Sequence, residues 1–297
     1  MEKRVFGKTG MEVSVLGFGG AEIGFEEASP KTVEALLNAS LDAGLNVIDT
    51  AECYHNSEEL IGDAIGKRRS QFYLFSKCGH EGSYDIPAWK PEQIKKSIER
   101  SLKNLKTDYL DLIQLHSCSL EILRQGEVIE ALLDAKKTGK ARFIGYSGDS
   151  DAALYAISSG AFDALQTSVN IADQEPIDQI LSKAIEKEMG IIAKRPLANA
   201  AWRYKTKPDN WYYHEYWDRL QKLQYEFLKS NNNDTVAIAL GFTLKTGVHT
   251  AIVGTKNKDR WLENAKLLSR GPLPQEIYDS IRKRWHDVAK PAWVGQN

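Results

Sequence analysis

No apolar run in this chain approaches the length of a membrane span, and the first residues, Met1-Glu2-Lys3-Arg4-Val5, lack the apolar core of a signal peptide. Both absences point to a cytoplasmic protein that works away from membranes. An excess of one charge is missing too. Lys and Arg number 39 against 40 Asp and Glu, a net charge of -1. That exerts no global pull on nucleic acid or on an anionic bilayer. Cysteine is scarce: Cys53, Cys78 and Cys118 are an odd set without metal-finger spacing. Free thiols in a reducing compartment are expected, and no metal centre. No linker, charge block or low-complexity stretch divides the 297 residues, so a single domain over 1–297 is expected, long enough to bury a large core. A Gly-x-Gly-x-x-Gly turn leading into a helix is also absent. Gly17-Phe18-Gly19-Gly20 does not match it, which counts against an open dinucleotide-binding sheet.

What is present is alternation. Val5 to Val13 reads as a hairpin around a Gly-bounded turn. Val15-Leu16 runs as a strand into Gly19-Gly20, where a ligand could approach the backbone closely. Ser29-Pro30 supplies an N-cap and an N1 proline for a helix that stops near Gly44. Leu45 to Asp49 is a strand. Asn56 to Ile65 is a helix in which Asn56 and Glu59 resemble a capping box. Further strands are expected at 72–75, 109–115, 141–146, 164–167, 191–193 and 250–253. Further helices are expected at 91–105, 120–137, 151–158, 176–188, 235–244, 260–268 and 274–288. Eight unbroken strand–helix alternations favour an α/β fold, a single (β/α)8 TIM barrel with an N-terminal β-hairpin and extra helices and loops on the C-terminal side.

Polar residues close successive strands: Asp49 with Tyr54 just beyond it, then Lys77, then His116. In a barrel those ends converge on one mouth. A phenol, with a reference pKa of about 10, is a poor acid at neutral pH. A nearby ammonium lowers that pKa, and a carboxylate holds the ammonium charged and oriented. A histidine at the same mouth orients a carbonyl or shares the proton. The set suits protonation of a developing alkoxide. It contains no activated serine, no base-paired cysteine and no acid pair for a glycoside. Singly, each residue has an ordinary explanation as a helix cap, a solvated cation or a satisfied core imidazole. Together at consecutive strand ends they are far more specific.

Asp49-Thr50-Ala51-Glu52-Cys53-Tyr54 with Asn56-Ser57-Glu58, then Ser76-Lys77, then Leu115-His116, resembles the aldo-keto reductase family. The likeness runs from Leu16-Gly17 to Glu263-Asn264. It implies hydride transfer between a nicotinamide and a small-molecule aldehyde or ketone. Tyr54 is then the general acid, Lys77 lowers its pKa, Asp49 pairs with Lys77, and His116 orients the carbonyl. The resemblance also implies a cofactor site. Gly19 and Gly20 belong to it, and Ser147 and Gln166 hold the nicotinamide carboxamide. Gly254, Thr255, Lys256, Asn257 and Arg260 form the nucleotide segment, with Glu263 and Asn264 at adenine. Gly148 stands where the family often has Asn. Gly254 stands where many members have Lys, with Lys256 as a substitute. Arg260 points to NADP(H), while Gly254 keeps NAD(H) open. The family also includes cofactor-binding regulatory proteins such as potassium-channel β subunits, an alternative of a different class. No nucleic-acid or membrane partner is implied, and a homo-oligomer is left open.

The stretch from Trp202 to Phe227 is aromatic. Tyr213, Tyr216, Trp217, Leu220, Leu223 and Phe227 keep helical spacing and read as a helix packed on the barrel. Trp202, Tyr204 and Trp211 fall outside that stripe. Trp202 and Trp211 are candidates for a substrate pocket, with His55 narrowing its mouth. All three cysteines flank catalytic candidates; coincidence with small-residue packing is the expectation, and a thiol whose pKa a neighbouring lysine lowers is the alternative.

Overall fold

The computed structural model describes residues 1–80 and 86–296; Asn297, the end of the expected domain, lies outside them. Strands β1 (Lys3–Val5) and β2 (Glu12–Ser14) form an antiparallel hairpin. Then come β3 (Leu16–Gly19), β4 (Val47–Asp49), β5 (Tyr73–Cys78), β6 (Leu110–His116), β7 (Ala141–Ser147), β8 (Ala164–Ser168), β9 (Gly190–Lys194) and β10 (Thr250–Val253). These eight are parallel, each beside the next, and β10 closes the ring on β3 with Ala251 opposite Leu16. The expected (β/α)8 barrel with its hairpin is the observed fold. Among the described residues, no helix is long and apolar enough to cross a membrane.

Side chains two apart on a strand share a face, and the inner face is divided by this rule into two levels. Val47, Phe75, Leu112, Ala164 and Ile192 join Phe6, Met11 and Val13 in one buried apolar cluster. Two residues further along the same strands stand Asp49, Lys77, Gln114, Gln166 and Lys194. The lower level is the floor, plugged by the hairpin. Phe6 lies 5.7 Å from the Phe75 ring. It packs so tightly on Gly190 that a Cβ there would approach its ring to 2.3 Å. The upper level is the mouth.

Helices α1 (Ala21–Phe25), α2 (Pro30–Asp42), α3 (Ser57–Ile65) and α4 (Pro91–Leu105) follow the first three barrel strands. Ser29 caps α2 as expected, accepting from the Thr32 N–H. Three local expectations fail. Asn56 makes no side-chain cap to α3, because its backbone sits in a turn (φ -94°, ψ 13°) rather than the extended form a capping box needs. The helix expected over 120–137 is two, α5 (Leu120–Gln125) and α6 (Glu127–Lys137), broken where Gly126 takes φ 82°. The helix expected over 176–188 divides likewise at Ile180 into α8 (Glu175–Gln179) and α9 (Leu181–Glu186), after α7 (Ser150–Ser159).

The aromatic excursion after β9 contains α10 (His214–Leu223), which buries Tyr216, Leu220 and Leu223. They cluster with Trp285 of the last helix and with Trp293 of the tail. Phe227 lies beyond α10 in a short 3-10 turn. The remaining helices are α11 (Asn232–Lys245), α12 (Lys258–Leu268) and α13 (Gln275–Val288).

Candidate active site

The four residues singled out at the strand ends meet in the mouth. Lys77 Nζ donates to Asp49 Oδ1 and, at 2.9 Å, to the Thr50 carbonyl. Gln114 Nε2 donates to Asp49 Oδ2 at 3.2 Å. Lys77 Nζ stands 5.1 Å from the Tyr54 ring centre. The Tyr54 and His116 rings meet edge to face at 5.6 Å. His116 Nδ1 lies 3.3 Å from Cys53 Sγ, and the His116 ring is 4.8 Å from His80.

Burial governs the electrostatics of this group. Burial opposes the charge on Lys77, but Asp49 and Tyr54 outweigh it and hold the ammonium protonated, its pKa raised. Burial raises Asp49, with Lys77, Gln166 and Gln114 drawing it back. Tyr54 differs from the simple expectation. Desolvation pushes it up to about 12, and Lys77 only partly offsets the rise. His116 is held well below its ordinary value by burial first, then by Lys77 and His80, so it is a neutral imidazole near pH 7. The cysteines follow the packing reading rather than the activated-thiol alternative. Burial pushes Cys53 up to about 11, Cys118 up to about 12, and Cys78 well above its ordinary value. None is an activated thiolate.

Two strands further round, Ser147 Oγ donates to Gln166 Oε1 at 2.8 Å. Gln166 Nε2 is buried and makes no hydrogen bond among the described residues, although it lies near enough to Asp49 to affect its pKa. A buried amide N–H without a partner is the kind of group that a ligand carbonyl satisfies. These residues therefore fit a nicotinamide carboxamide. Gly148 is explained by space, since a Cβ there would come within 2.5 Å of the Tyr146 hydroxyl. Asp149 is buried and accepts from Thr167 Oγ1 and the Ser168 N–H, each at 2.7 Å, and pairs with Lys194 Nζ at 2.8 Å. Lys194 also donates to the Gln296 carbonyl at 3.0 Å. Arg219 donates to the Val294 carbonyl at 2.8 Å. The C-terminal tail is thereby tied to the end of β9 and to α10.

The segment expected to hold the nucleotide begins where β10 meets β3, with Gly254 against Gly19. Gly20 donates its N–H to the Asp49 carbonyl at 2.7 Å. Thr255 is buried and its hydroxyl accepts from the Asn257 N–H; Asn257 in turn caps α12, accepting from Asp259 and Arg260. Lys256 pairs with Glu26 at 2.8 Å. Arg260 is exposed at the helix start and acts electrostatically on Glu22. Asn264 is buried, whereas Glu263 accepts from Asn233 at 2.7 Å.

On the rim, Trp211 is 76% exposed and stacks edge to face on Tyr212. Trp202 is half-buried and packs on both the barrel core and the C-terminal cluster. His55 takes φ 47° and stands 4.9 Å from Phe25. Sequence reasoning missed Phe25, 5.4 Å from the Tyr54 ring, as well as His80, Gln114 and Tyr212. Phe25 follows strand β3, and only that position marked it. Gln114 was legible as the inward neighbour of His116 on β6.

The fold and this mouth define an oxidoreductase barrel, and comparison with known proteins agrees. Residues 15–286 match the model of the Aldo/keto reductase family. L-galactose dehydrogenase of Arabidopsis thaliana is 28% identical over 317 aligned positions that cover 99% of this chain and 97% of that protein. An uncharacterized oxidoreductase of Bacillus subtilis (strain 168), YqkF, is 30% identical over 67% of this chain and 65% of its own length. The holo form of an aldo-keto reductase from Bacillus halodurans superposes with a TM-score of 0.83 at 26% identity, covering 98% of this chain and 97% of that one. The chain belongs to the aldo-keto reductase family, oxidoreductases that use nicotinamide cofactors on small carbonyl substrates.

Proposed function

We propose that this protein reduces an aldehyde or ketone to the alcohol with NADPH. The observation that carries the reading is the buried Asp49–Lys77 pair beneath Tyr54, with a neutral His116 beside the phenol. When bound, the reduced nicotinamide supplies the hydride. Ser147 and Gln166 hold its carboxamide, with Gly19 and Gly20 at the adjoining strand end. Tyr54 stays a neutral phenol at working pH and gives its proton to the oxygen as alkoxide develops. Lys77 stabilises the phenolate left behind, in a site where burial alone would make that anion costly. Asp49 keeps Lys77 charged. A neutral Cys53 thiol donates to His116 Nδ1, so Nε2 carries the hydrogen that orients the carbonyl.

Gly254, Thr255, Asn257, Arg260, Glu263 and Asn264 receive the adenine nucleotide, with Arg260 on the 2′-phosphate. Lys256, engaged by Glu26, contributes less. Trp211, Tyr212, Phe25 and His55 line the substrate entrance, and Trp202 props that wall from behind. The test is a screen of aldehydes, ketones and sugars that follows NADPH and NADH consumption. Turnover with NADPH preferred is expected. Tyr54→Phe is expected to lose about 10²–10⁴-fold in turnover while still binding NADPH. Tight NADPH binding without turnover of any carbonyl would overturn the enzyme reading.

A further inference from the structure

Three ligand atoms of the kind that bind soft metals converge beside the reacting group. One each from Cys53, His80 and His116 lie within 4.8 Å of one another. Cys53 and His80 lie in the loops after β4 and β5 and His116 ends β6, so tertiary folding rather than sequence spacing assembles them. Cys53 Sγ and His116 Nδ1 are already 3.3 Å apart. A tetrahedral zinc ion with Zn–S of about 2.3 Å and Zn–N of about 2.0 Å would separate them by about 3.5 Å. The exposed His80 ring already stands 4.8 Å from the His116 ring, and Gln93 holds its backbone carbonyl at 2.7 Å. The nearest cation, Lys77, is matched by Asp49.

We infer that Cys53, His80 and His116 form an adventitiously accessible site for a soft divalent cation, Zn²⁺ being the probe, whose binding excludes the carbonyl substrate. The thiol proton leaves to solvent as the Zn–S bond forms. Three protein ligands leave a fourth position for water, the pattern of an open rather than a structural zinc site. Held on Cys53 and His116 Nδ1, beside the Tyr54 ring, the ion and its bound water occupy the space through which the carbonyl would approach. The inhibition rests on the proposed reductase reading; the binding does not.

Equilibrium dialysis of the full chain against ZnCl₂, with and without NADPH, tests the site. One zinc per chain is expected. Cys53→Ala and His80→Gln should each weaken it by about tenfold or more, and Cys118→Ala should leave it unchanged. Circular dichroism establishes that each variant is folded. In the activity assay, Zn²⁺ should raise the KM for the carbonyl, a chelator should reverse this, and His80→Gln should need about tenfold more zinc. No zinc bound at micromolar concentration, or zinc retained in both ligand variants, would overturn the site. Zinc held through Cys53 and His80 in a protein that reduces no carbonyl would sustain the site and defeat the reductase reading. Carbonyl turnover in a protein that binds no zinc would do the reverse.

Discussion

The floor and the mouth of this barrel are built from the same strands, two residues apart, and they follow opposite physical rules. At the floor, Phe6, Val47, Phe75, Leu112 and Ile192 make no polar demands and are fully buried. Their contribution is area removed from water and close packing. At the mouth, Asp49, Lys77, Gln114 and Gln166 are just as buried, but each must be satisfied by a partner. A buried ion pair of this kind adds little net stability, because desolvation offsets the attraction. The floor holds the barrel together. The mouth is tolerated by it, and its perturbed ionisations make it the place where chemistry is available.

Changes at the two levels should therefore separate stability from turnover. The largest effect expected is Tyr54→Phe, about 10²–10⁴-fold in turnover with the unfolding midpoint preserved. A comparable loss of stability would blur the division. Asp49→Asn should do both kinds of damage. It leaves Lys77 charged and unpaired in the interior, costing about 3–5 kcal/mol in urea unfolding, and turnover falls with it. Phe6→Ala should cost about 3–5 kcal/mol through the cavity beneath Phe75, while the folded fraction keeps its KM. A raised KM in Phe6→Ala would show that floor and mouth are coupled.

Sensitivity to pH should lie at the mouth side as well. Burial pushes Asp173, after β8, up to about 7. It also raises Glu175, buried at the start of α8, to about 7. The folded protein binds these protons more tightly than the unfolded chain. The stability they contribute is complete below the ordinary carboxylate range and is lost as pH rises through about 7. Unfolding free energy should fall by roughly 1–3 kcal/mol between pH 5 and 8 on this account. Asp173→Asn, which cannot ionise, should flatten that fall, and Phe6→Ala should leave its slope alone. The smallest effect is expected at the rim. Trp211→Ala should change stability by less than about 0.5 kcal/mol and raise the substrate KM a few-fold; an unchanged KM would remove Trp211 from the entrance.

Much of the frame was legible because strand and helix periods are local. Ser29-Pro30 announced a helix that the Ser29 cap confirms, and Pro91 opened another as expected. The misses have local causes that periodicity does not register. The apolar pattern runs through Gly126 and Ile180, yet the backbone breaks there. Asn56 has the chemistry of a cap without the backbone geometry. Nothing local marks Asp149 as a buried anchor; folding placed Lys194, Thr167 and Ser168 around it.

The sequence by itself determined the eightfold alternation, the strand-end positions of Asp49, Lys77 and His116, and the family pattern, because each depends on residue type and short-range spacing. Only the tertiary structure decided how those groups behave. It brought Cys53, His80 and His116 together, tied the tail to Lys194 and Arg219, and made burial outweigh Lys77 in raising the Tyr54 pKa. Desolvation and long-range contact depend on what the rest of the chain excludes from water, and no window of sequence contains that information.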